Sequence, residues 1–242
     1  MRGIFVTGTG TGVGKTVITG LLARYLLEKD YSVVTQKWVQ TGSGSSFSPD
    51  ILGHLKLMRK DKGYIKGYLE HISPYSFKFG ASPHLASRME HKNIREDKII
   101  GSFKLLSRRF DFVLVEGLGG ALVPLNNKRL VIDLAKKLRL PVLVVAENKL
   151  GAINHALLTI ESLRRRRMHI LGIVFNNAKN EDKRILKDNP LIVRQLSGER
   201  ILGVLPWVKK IDELYNGFLP IGKEILKRIN ELTTNDQRLT TK

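Results

Sequence analysis

The sequence contains no cysteine. That excludes disulfides, thiolate-held zinc or iron–sulfur centres, and cysteine-nucleophile chemistry. Aromatic residues make up only 7% of the chain, and no aromatic-rich motif accompanies its basic stretches, which argues against a stacking platform for single-stranded nucleic acid. No apolar run approaches the ~20 residues of a membrane span, and the first residues lack a signal-peptide pattern. The expectation is a soluble, cytoplasmic protein with no membrane partner. Acidic residues are also scarce. Twenty-two Asp and Glu stand against 41 Lys and Arg, a formal charge of +19.

What is present is enough for a folded core. At 242 residues and 42% hydrophobic content, the chain reads as a single α/β domain over residues 1–232, with a polar tail, Thr233–Lys242, expected to fray. The charge excess lies in two stretches. Residues 54–109 hold thirteen basic against five acidic side chains, and residues 164–210 hold twelve against four, including Arg164-Arg165-Arg166-Arg167. A basic face suits nucleic acid, an acidic membrane surface or small anions, but it is also an ordinary solvated surface. Nucleic acid is not expected as a partner.

Short apolar runs alternate with longer periodic segments. Strands are predicted at Ile4–Thr7, Val33–Lys37, Phe112–Glu116, Val142–Ala146, Leu171–Phe175 and Ile201–Leu205. Their Val, Ile, Leu and Phe show little alternation, as expected when both faces of a parallel sheet are covered. Helices are predicted at Val17–Glu28, with Ile18, Leu21, Leu22, Tyr25 and Leu26 on one stripe, and at His155–Arg166. The pattern predicts a doubly wound, mainly parallel sheet with helices on both faces.

The strongest motif follows the first strand: Gly8-Thr9-Gly10-Thr11-Gly12-Val13-Gly14-Lys15-Thr16. Glycines let successive N–H groups turn toward phosphate oxygens, and the helix start adds partial positive charge. Lys15 can reach the β- and γ-phosphates, and the Thr16 hydroxyl can ligate Mg²⁺. The loop is one residue longer than the usual P-loop spacing. It predicts a nucleoside triphosphate ligand, but a switch, a kinase and a ligase would share it.

The other strand ends narrow the choice. Lys37-Trp38-Val39-Gln40-Thr41 follows the second strand, with Asp50 shortly after. Glu116-Gly117-Leu118-Gly119-Gly120 follows the third, putting a carboxylate where it could share Mg²⁺ with Thr16. Leu150-Gly151-Ala152-Ile153-Asn154-His155 follows the fourth, with Asn154 read as the N-cap of the next helix. Asn176-Asn177 and Pro206-Trp207 end the last two strands and offer an amide and an apolar wall to a base. His54, His71, His84, His91, His155 and His169 lack metal-ligand spacing and read as surface or core residues.

This ordered set, together with Ser82-Pro83-His84, resembles the dethiobiotin synthetases, P-loop ligases that close the ureido ring in biotin biosynthesis. The resemblance implies that Gly12, Val13, Gly14, Lys15, Thr16 and Val17 cradle the ATP phosphates, and that Thr16, Asp50 and Glu116 hold Mg²⁺. It further implies that Lys37 and Lys15 are catalytic, and that Thr41 contacts substrate. Gly151, Ala152, Ile153 and Asn154 would receive the carboxylate of 7,8-diaminononanoate across a homodimer interface. Asn176, Asn177, Pro206, Trp207, Val208 and Glu213 would surround adenine, and Glu116, Gly117, Leu118 and Gly119 would line the nucleotide site. The implied chemistry is ATP-dependent carboxylation by CO₂ through a carbamate and a carbamic–phosphoric anhydride.

Three features depart from that family. Gly10 and Gly12 stand where members often carry an acidic residue, Trp38 replaces a proline common beside the lysine, and the +19 charge is unforeseen. Two rivals share the fold. Partitioning-type ATPases bind DNA or membrane, but usually carry an extra lysine early in the loop, and residues 9–13 contain none. Amidotransferase-coupled synthetases need a glutaminase half, for which there is neither a cysteine nor a second domain.

Overall fold

The computed structural model describes residues 2–44 and 47–240, with their side chains except at residue 2 and residues 233–240. The chain opens with β1 (Arg2–Gly8), passes through the glycine loop into α1 (Lys15–Leu27), and returns as β2 (Val33–Lys37). An excursion follows: β3 (Val39–Gln40), α2 (Pro49–Leu57), a 3-10 turn (Lys62–Ile65), α3 (Leu69–Ile72), β4 (Tyr75–Ser76) and α4 (Pro83–Met89). After α5 (Glu96–Ser107) strand and helix alternate regularly: β5 (Phe112–Gly120), α6 (Val131–Lys137), β6 (Val142–Asn148), α7 (Ala152–Arg165), β7 (Ile170–Asn177), α8 (Lys183–Ser197), β8 (Ile201–Leu205) and α9 (Ile211–Thr240).

Six strands form one sheet in the order β2-β5-β1-β6-β7-β8, with every pairing parallel. All six predicted strands are found, β2 and β8 with the bounds read from the sequence. The absence of alternation has the expected cause. Phe5, Val113, Val115, Val142 and Val144 pack into a core on one face, whereas Ile4, Val6, Leu114, Leu143 and Val145 pack into a second core on the other. Successive side chains point to opposite faces, and both faces are covered.

The helices close those faces with apolar stripes. Ile18, Leu21, Leu22, Tyr25 and Leu26 of α1 are all buried, as their spacing predicts. On α9, Tyr215, Phe218, Ile221, Ile225 and Ile229 recur at intervals of three or four and are also buried. Each such side chain contributes about 1.5–3 kcal/mol when taken out of water.

Helix α9 runs to Thr240, through most of the polar tail read from Thr233; Thr241 and Lys242 lie outside the described residues. Three of the four arginines at and just past the end of α7 are ion-paired. Arg164 pairs with Glu199 and Arg165 with Glu161, each at 2.7 Å, and Arg166 with Asp133 at 3.3 Å. Among the described residues, no helix is long and apolar enough to cross a membrane.

The topology fixes where a ligand can sit. Parallel strands bring all their C-terminal ends to one edge of the sheet. From β1 the chain passes to β2 and β5 on one side and then to β6, β7 and β8 on the other. The crevice at such a reversal is the usual ligand site of an open α/β sheet.

Candidate active site

At the end of β1 the loop turns sharply into α1. Gly14, the residue before the helix, has φ +101°, and a β-carbon there would lie 2.4 Å from the Asn176 amide nitrogen. The position therefore requires glycine for both conformation and space. Asn176 Nδ2 donates to the Val13 carbonyl at 3.1 Å, tying the end of β7 to the loop. Lys15 folds back over the loop, its Nζ donating to the Gly10 carbonyl at 2.8 Å. Burial, helped by the nearby charge of Lys37, lowers its pKa to about 8, although Glu116 and Asp50 pull the other way.

Beside the loop lies a buried charge cluster. Lys37, last residue of β2, and Glu116 on β5 are register partners on adjacent strands. Lys37 Nζ donates to Glu116 Oε1 at 2.7 Å and to the Gly117 carbonyl at 2.9 Å, and lies 2.8 Å from Asp50 Oδ2. Its three N–H donors are thus all engaged. Burial works against the Lys37 charge, but Glu116 and Asp50 outweigh it and raise its pKa. Burial likewise opposes ionisation of Glu116, yet Lys37 and His54 bring its pKa down to about 2. The Thr16 hydroxyl lies 3.1 Å from Glu116 Oε1 and 3.4 Å from Asp50 Oδ1.

Local sequence explains how Asp50 arrives there. Ser48 caps α2, its Oγ accepting from the Ile51 amide at 3.3 Å, and Pro49 opens the helix. Asp50 therefore stands in the first turn facing Lys37. Four residues on, His54 is fully buried, with Nε2 2.7 Å from Glu116 Oε2. The sequence reading placed His54 among surface or core residues, and it is indeed in the core, but against the site. The signal available was its i, i+4 spacing from Asp50.

Trp38, where family members often have proline, is also buried. Its ring stacks on Phe5 with centroids 5.5 Å apart, and its indole N–H donates to Gln36 Oε1 at 2.9 Å. Both contacts brace the strand end that carries Lys37. Thr41, just after β3, is half-buried. At α4, Ser82 Oγ and His84 Nδ1 lie 3.0 Å apart.

On the other side of β1, Asn176 and Leu205 are register partners, so Asn176-Asn177 and Pro206-Trp207-Val208 flank one another at the ends of β7 and β8. Asn177 Oδ1 accepts from Asn148 Nδ2 at 2.8 Å, and Asn148 Oδ1 accepts from Asn189 Nδ2 at 2.8 Å, a buried amide chain behind this wall. Trp207 is 44% exposed, with Lys179 Nζ 5.1 Å from its ring centre. Glu213 is exposed and lies 3.7 Å from Lys210.

The start of α7 differs from expectation. Gly151, at φ +85°, is the N-cap, and Asn154 lies inside the first turn, exposed. The cap residue has a left-handed backbone, which a glycine adopts without strain, so Asn154 has no capping role. Gly151, Ala152, Ile153 and Asn154 sit at the end of β6, two strands from β5.

The structure thus brings Lys15, Thr16, Lys37, Asp50 and Glu116 into one cluster and sets the Asn and Pro-Trp pairs across the loop from it. Among the described residues, no group of three or more His, Cys, Asp and Glu is disposed for a metal. Two carboxylates and a hydroxyl are nevertheless the hard oxygen donors that Mg²⁺ takes when phosphate oxygens and water complete its shell.

Comparison with known proteins places the chain in a family. A family model described as an AAA domain matches residues 2–214. An ATP-dependent dethiobiotin synthetase, BioD 2, of Haemophilus ducreyi is 36% identical over 197 residues, covering 79% of this chain and 90% of that protein. The ATP-dependent dethiobiotin synthetase BioD of Anaeromyxobacter dehalogenans is 38% identical over 207 residues, covering 86% and 91%. Among solved structures, the septum site-determining protein MinD of Pyrococcus horikoshii, complexed with Mg-ADP, superposes with a TM-score of 0.57 at 17% identity over 96% of this chain and 95% of that one. That last likeness speaks for the P-loop fold alone. From fold, loop and relatives together, the chain belongs to the dethiobiotin synthetase family, the ATP-dependent ligases of biotin biosynthesis.

Proposed function

We propose that this chain makes dethiobiotin from 7,8-diaminononanoate, CO₂ and ATP in the cytoplasm, as a homodimer. The observation that carries this reading is the cluster beside the phosphate loop in which the buried Lys37–Glu116 pair meets the half-buried Asp50 and Thr16. One substrate amine adds to CO₂, losing a proton and giving a carbamate. A carbamate oxygen attacks the γ-phosphorus and ADP leaves, giving a carbamic–phosphoric anhydride. The second amine then attacks the carbonyl carbon, the C–O bond to phosphate breaks, and the ring closes with loss of a second proton.

The protein's part is positioning and charge. Gly12, Val13, Gly14 and Val17 wrap the phosphates with backbone groups, while Lys15 and Lys37 neutralise charge as the carbamate meets the γ-phosphate. The cluster of two lysines and two carboxylates is balanced by itself, so a bound triphosphate calls for added positive charge. Mg²⁺ held by Thr16, Asp50 and Glu116 supplies it. Asn176, Asn177, Pro206, Trp207 and Val208, with Glu213 at the edge, form the adenine side, and Gly117, Leu118 and Gly119 run beside the phosphates. Thr41 meets the substrate near its amines.

The carboxylate falls to the α7 start at Gly151, Ala152, Ile153 and Asn154, where the helix N-terminus favours an anion. A cleft of about 200 Å³ lined by Thr9, Gly120, Leu122, His155 and Leu158 opens beside this helix. Leu122 and Leu158, which line it, are more than half exposed, as is Leu150 just before the helix. A second copy covering these leucines accounts for their exposure.

A second reading, an ATPase acting on DNA, is favoured only by the +19 charge. One assay separates the two. Purified protein is incubated with ATP, Mg²⁺ and bicarbonate, with and without the diamine, and dethiobiotin is sought by mass spectrometry. Product that needs every component supports the ligase. ATP hydrolysis indifferent to the diamine, with salt-sensitive DNA binding, overturns it.

A further inference from the structure

The two oxygens of Glu116 have different partners. Oε1 faces Lys37 and Thr16, and Oε2 faces His54 Nε2 at 2.7 Å. Paired with Lys37, the carboxylate accepts at both oxygens, and the contact at Oε2 is then a hydrogen bond from the His54 tautomer that carries its hydrogen on Nε2. Glu116 is 2% exposed and His54 is 0% exposed, so water cannot stand in for either partner.

His54 is also an expensive way to fill its place. Its Nδ1 is buried and has no hydrogen-bond partner. The helix face it occupies packs closely on α1, where a β-carbon on Gly20 would lie 3.3 Å from the His54 Cα. An apolar side chain would fill the space without an orphaned nitrogen. What it would lack is a donor for Glu116 Oε2. Asp50 and His54, one helical turn apart on α2, thus approach the same site by different routes: Asp50 meets Lys37 directly, and His54 meets Glu116 from behind.

We propose that His54 is a positioning residue, which holds Oε2 of Glu116 and thereby keeps Oε1 turned toward Thr16 as the oxygen offered to a divalent cation. This rests on the reading of Glu116 as a cation ligand. The bond to His54 fixes the carboxylate's rotation, so that Oε1, which also accepts from Lys37, is the oxygen turned toward Thr16. Partners behind a metal ligand commonly set its orientation, and their loss lowers metal affinity roughly 10- to 100-fold.

The test uses Mn²⁺ as the probe, counted by electron paramagnetic resonance in the presence of a non-hydrolysable ATP analogue and the full chain. His54→Leu is expected to weaken Mn²⁺ binding about 10- to 100-fold. His54→Gln, whose amide nitrogen reaches about as far as Nε2, should stay within roughly threefold of the parent. His54→Asn, too short to reach, should behave like the leucine variant, and it serves if His54→Leu does not fold. Parent-like binding in His54→Leu or His54→Asn overturns the proposal, as does a His54→Gln variant as weak as either. Glu116→Gln is the separate control. If it leaves Mn²⁺ binding unchanged, the reading of Glu116 as a ligand fails; if it weakens binding while His54→Leu does not, only the role of His54 fails.

Discussion

Lys37 and Glu116 face each other across adjacent strands, with Nζ and Oε1 2.7 Å apart and both side chains at least 95% buried. Desolvating two charges is costly, and their attraction repays it only when the remaining donors and acceptors are also satisfied. Here Gly117, Asp50 and His54 provide those partners. Removing one member of such a pair usually costs roughly 3–5 kcal/mol, because the other charge is left uncompensated. The cluster is therefore a structural commitment as well as a reactive one.

Replacing Lys37 with Gln should cut turnover about 10²-fold or more, the loss typical when a charge-stabilising donor is removed. Nucleotide binding should persist, since the loop keeps Lys15 and its backbone groups. Dethiobiotin formation under saturating substrate, beside a direct measurement of ATP affinity, separates the two effects. Near-normal turnover would remove Lys37 from the chemistry.

Gly14→Ala adds a methyl group at φ +101° and against the Asn176 amide. The strain alone should exceed about 1 kcal/mol. Because it falls on the phosphate loop, ATP affinity should drop about tenfold or more. Calorimetric titration with ATP, paired with a thermal melt, reads both losses.

Glu116 and Lys15 both have lowered pKa values, so stability rises with pH through each window, in one case by gaining a contribution and in the other by shedding a penalty. The Glu116 pKa falls on folding from 4.5 to about 2, so its contribution to stability is complete above pH 4.5 and is lost as pH falls toward 2. Glu116→Gln should flatten that part of the acid-unfolding curve. Lys15 falls from 10.5 to about 8. Its charge therefore opposes folding below pH 8, and that penalty fades between pH 8 and 10.5. In the free protein the same loss of charge should weaken ATP binding as pH rises above 8. An ATP affinity that stays flat from pH 7 to pH 10 would contradict it.

Asn148→Ala removes the middle of the amide chain, with its bonds to Asn177, Asn189 and the Leu186 carbonyl. Each buried group left unpaired costs roughly 1–3 kcal/mol. At about 2–4 °C per kcal/mol for a chain of this size, Tm should fall by several degrees. An unchanged Tm would mean the chain of amides carries no stability.

Much of this was legible in the residues. Most of the six strands could be read because they are apolar on both faces; β2, ending Thr35-Gln36-Lys37, and the edge strand β8 are the exceptions. Thr16 and Lys37 stood out because they lie where a helix begins and a strand ends; Glu116 stood out as a carboxylate before glycines, although β5 runs on past it to Gly120. The stretch between β2 and α5 was opaque for the opposite reason. Its two-residue strands and four-residue helix are held by tertiary contacts rather than by any period. His54 was passed over because its one signal was the i, i+4 spacing from Asp50, and a histidine at that spacing in a helix is more often a plain core or surface residue. Asn154 misled because asparagine is a good cap, and the glycine three residues earlier took the position.

The hydrogen bond from Asn176 to Val13 has a thermodynamic consequence. One amide stands at the end of β7, in the region proposed above for the base, and also holds a carbonyl of the phosphate loop. Any ligand that orders the loop then changes the orientation available to Asn176, and any base that engages Asn176 changes the loop. Such linkage is reciprocal, with the same free energy in both directions. Asn176→Ala should accordingly weaken the binding of inorganic triphosphate, a ligand that has no base for the asparagine to touch.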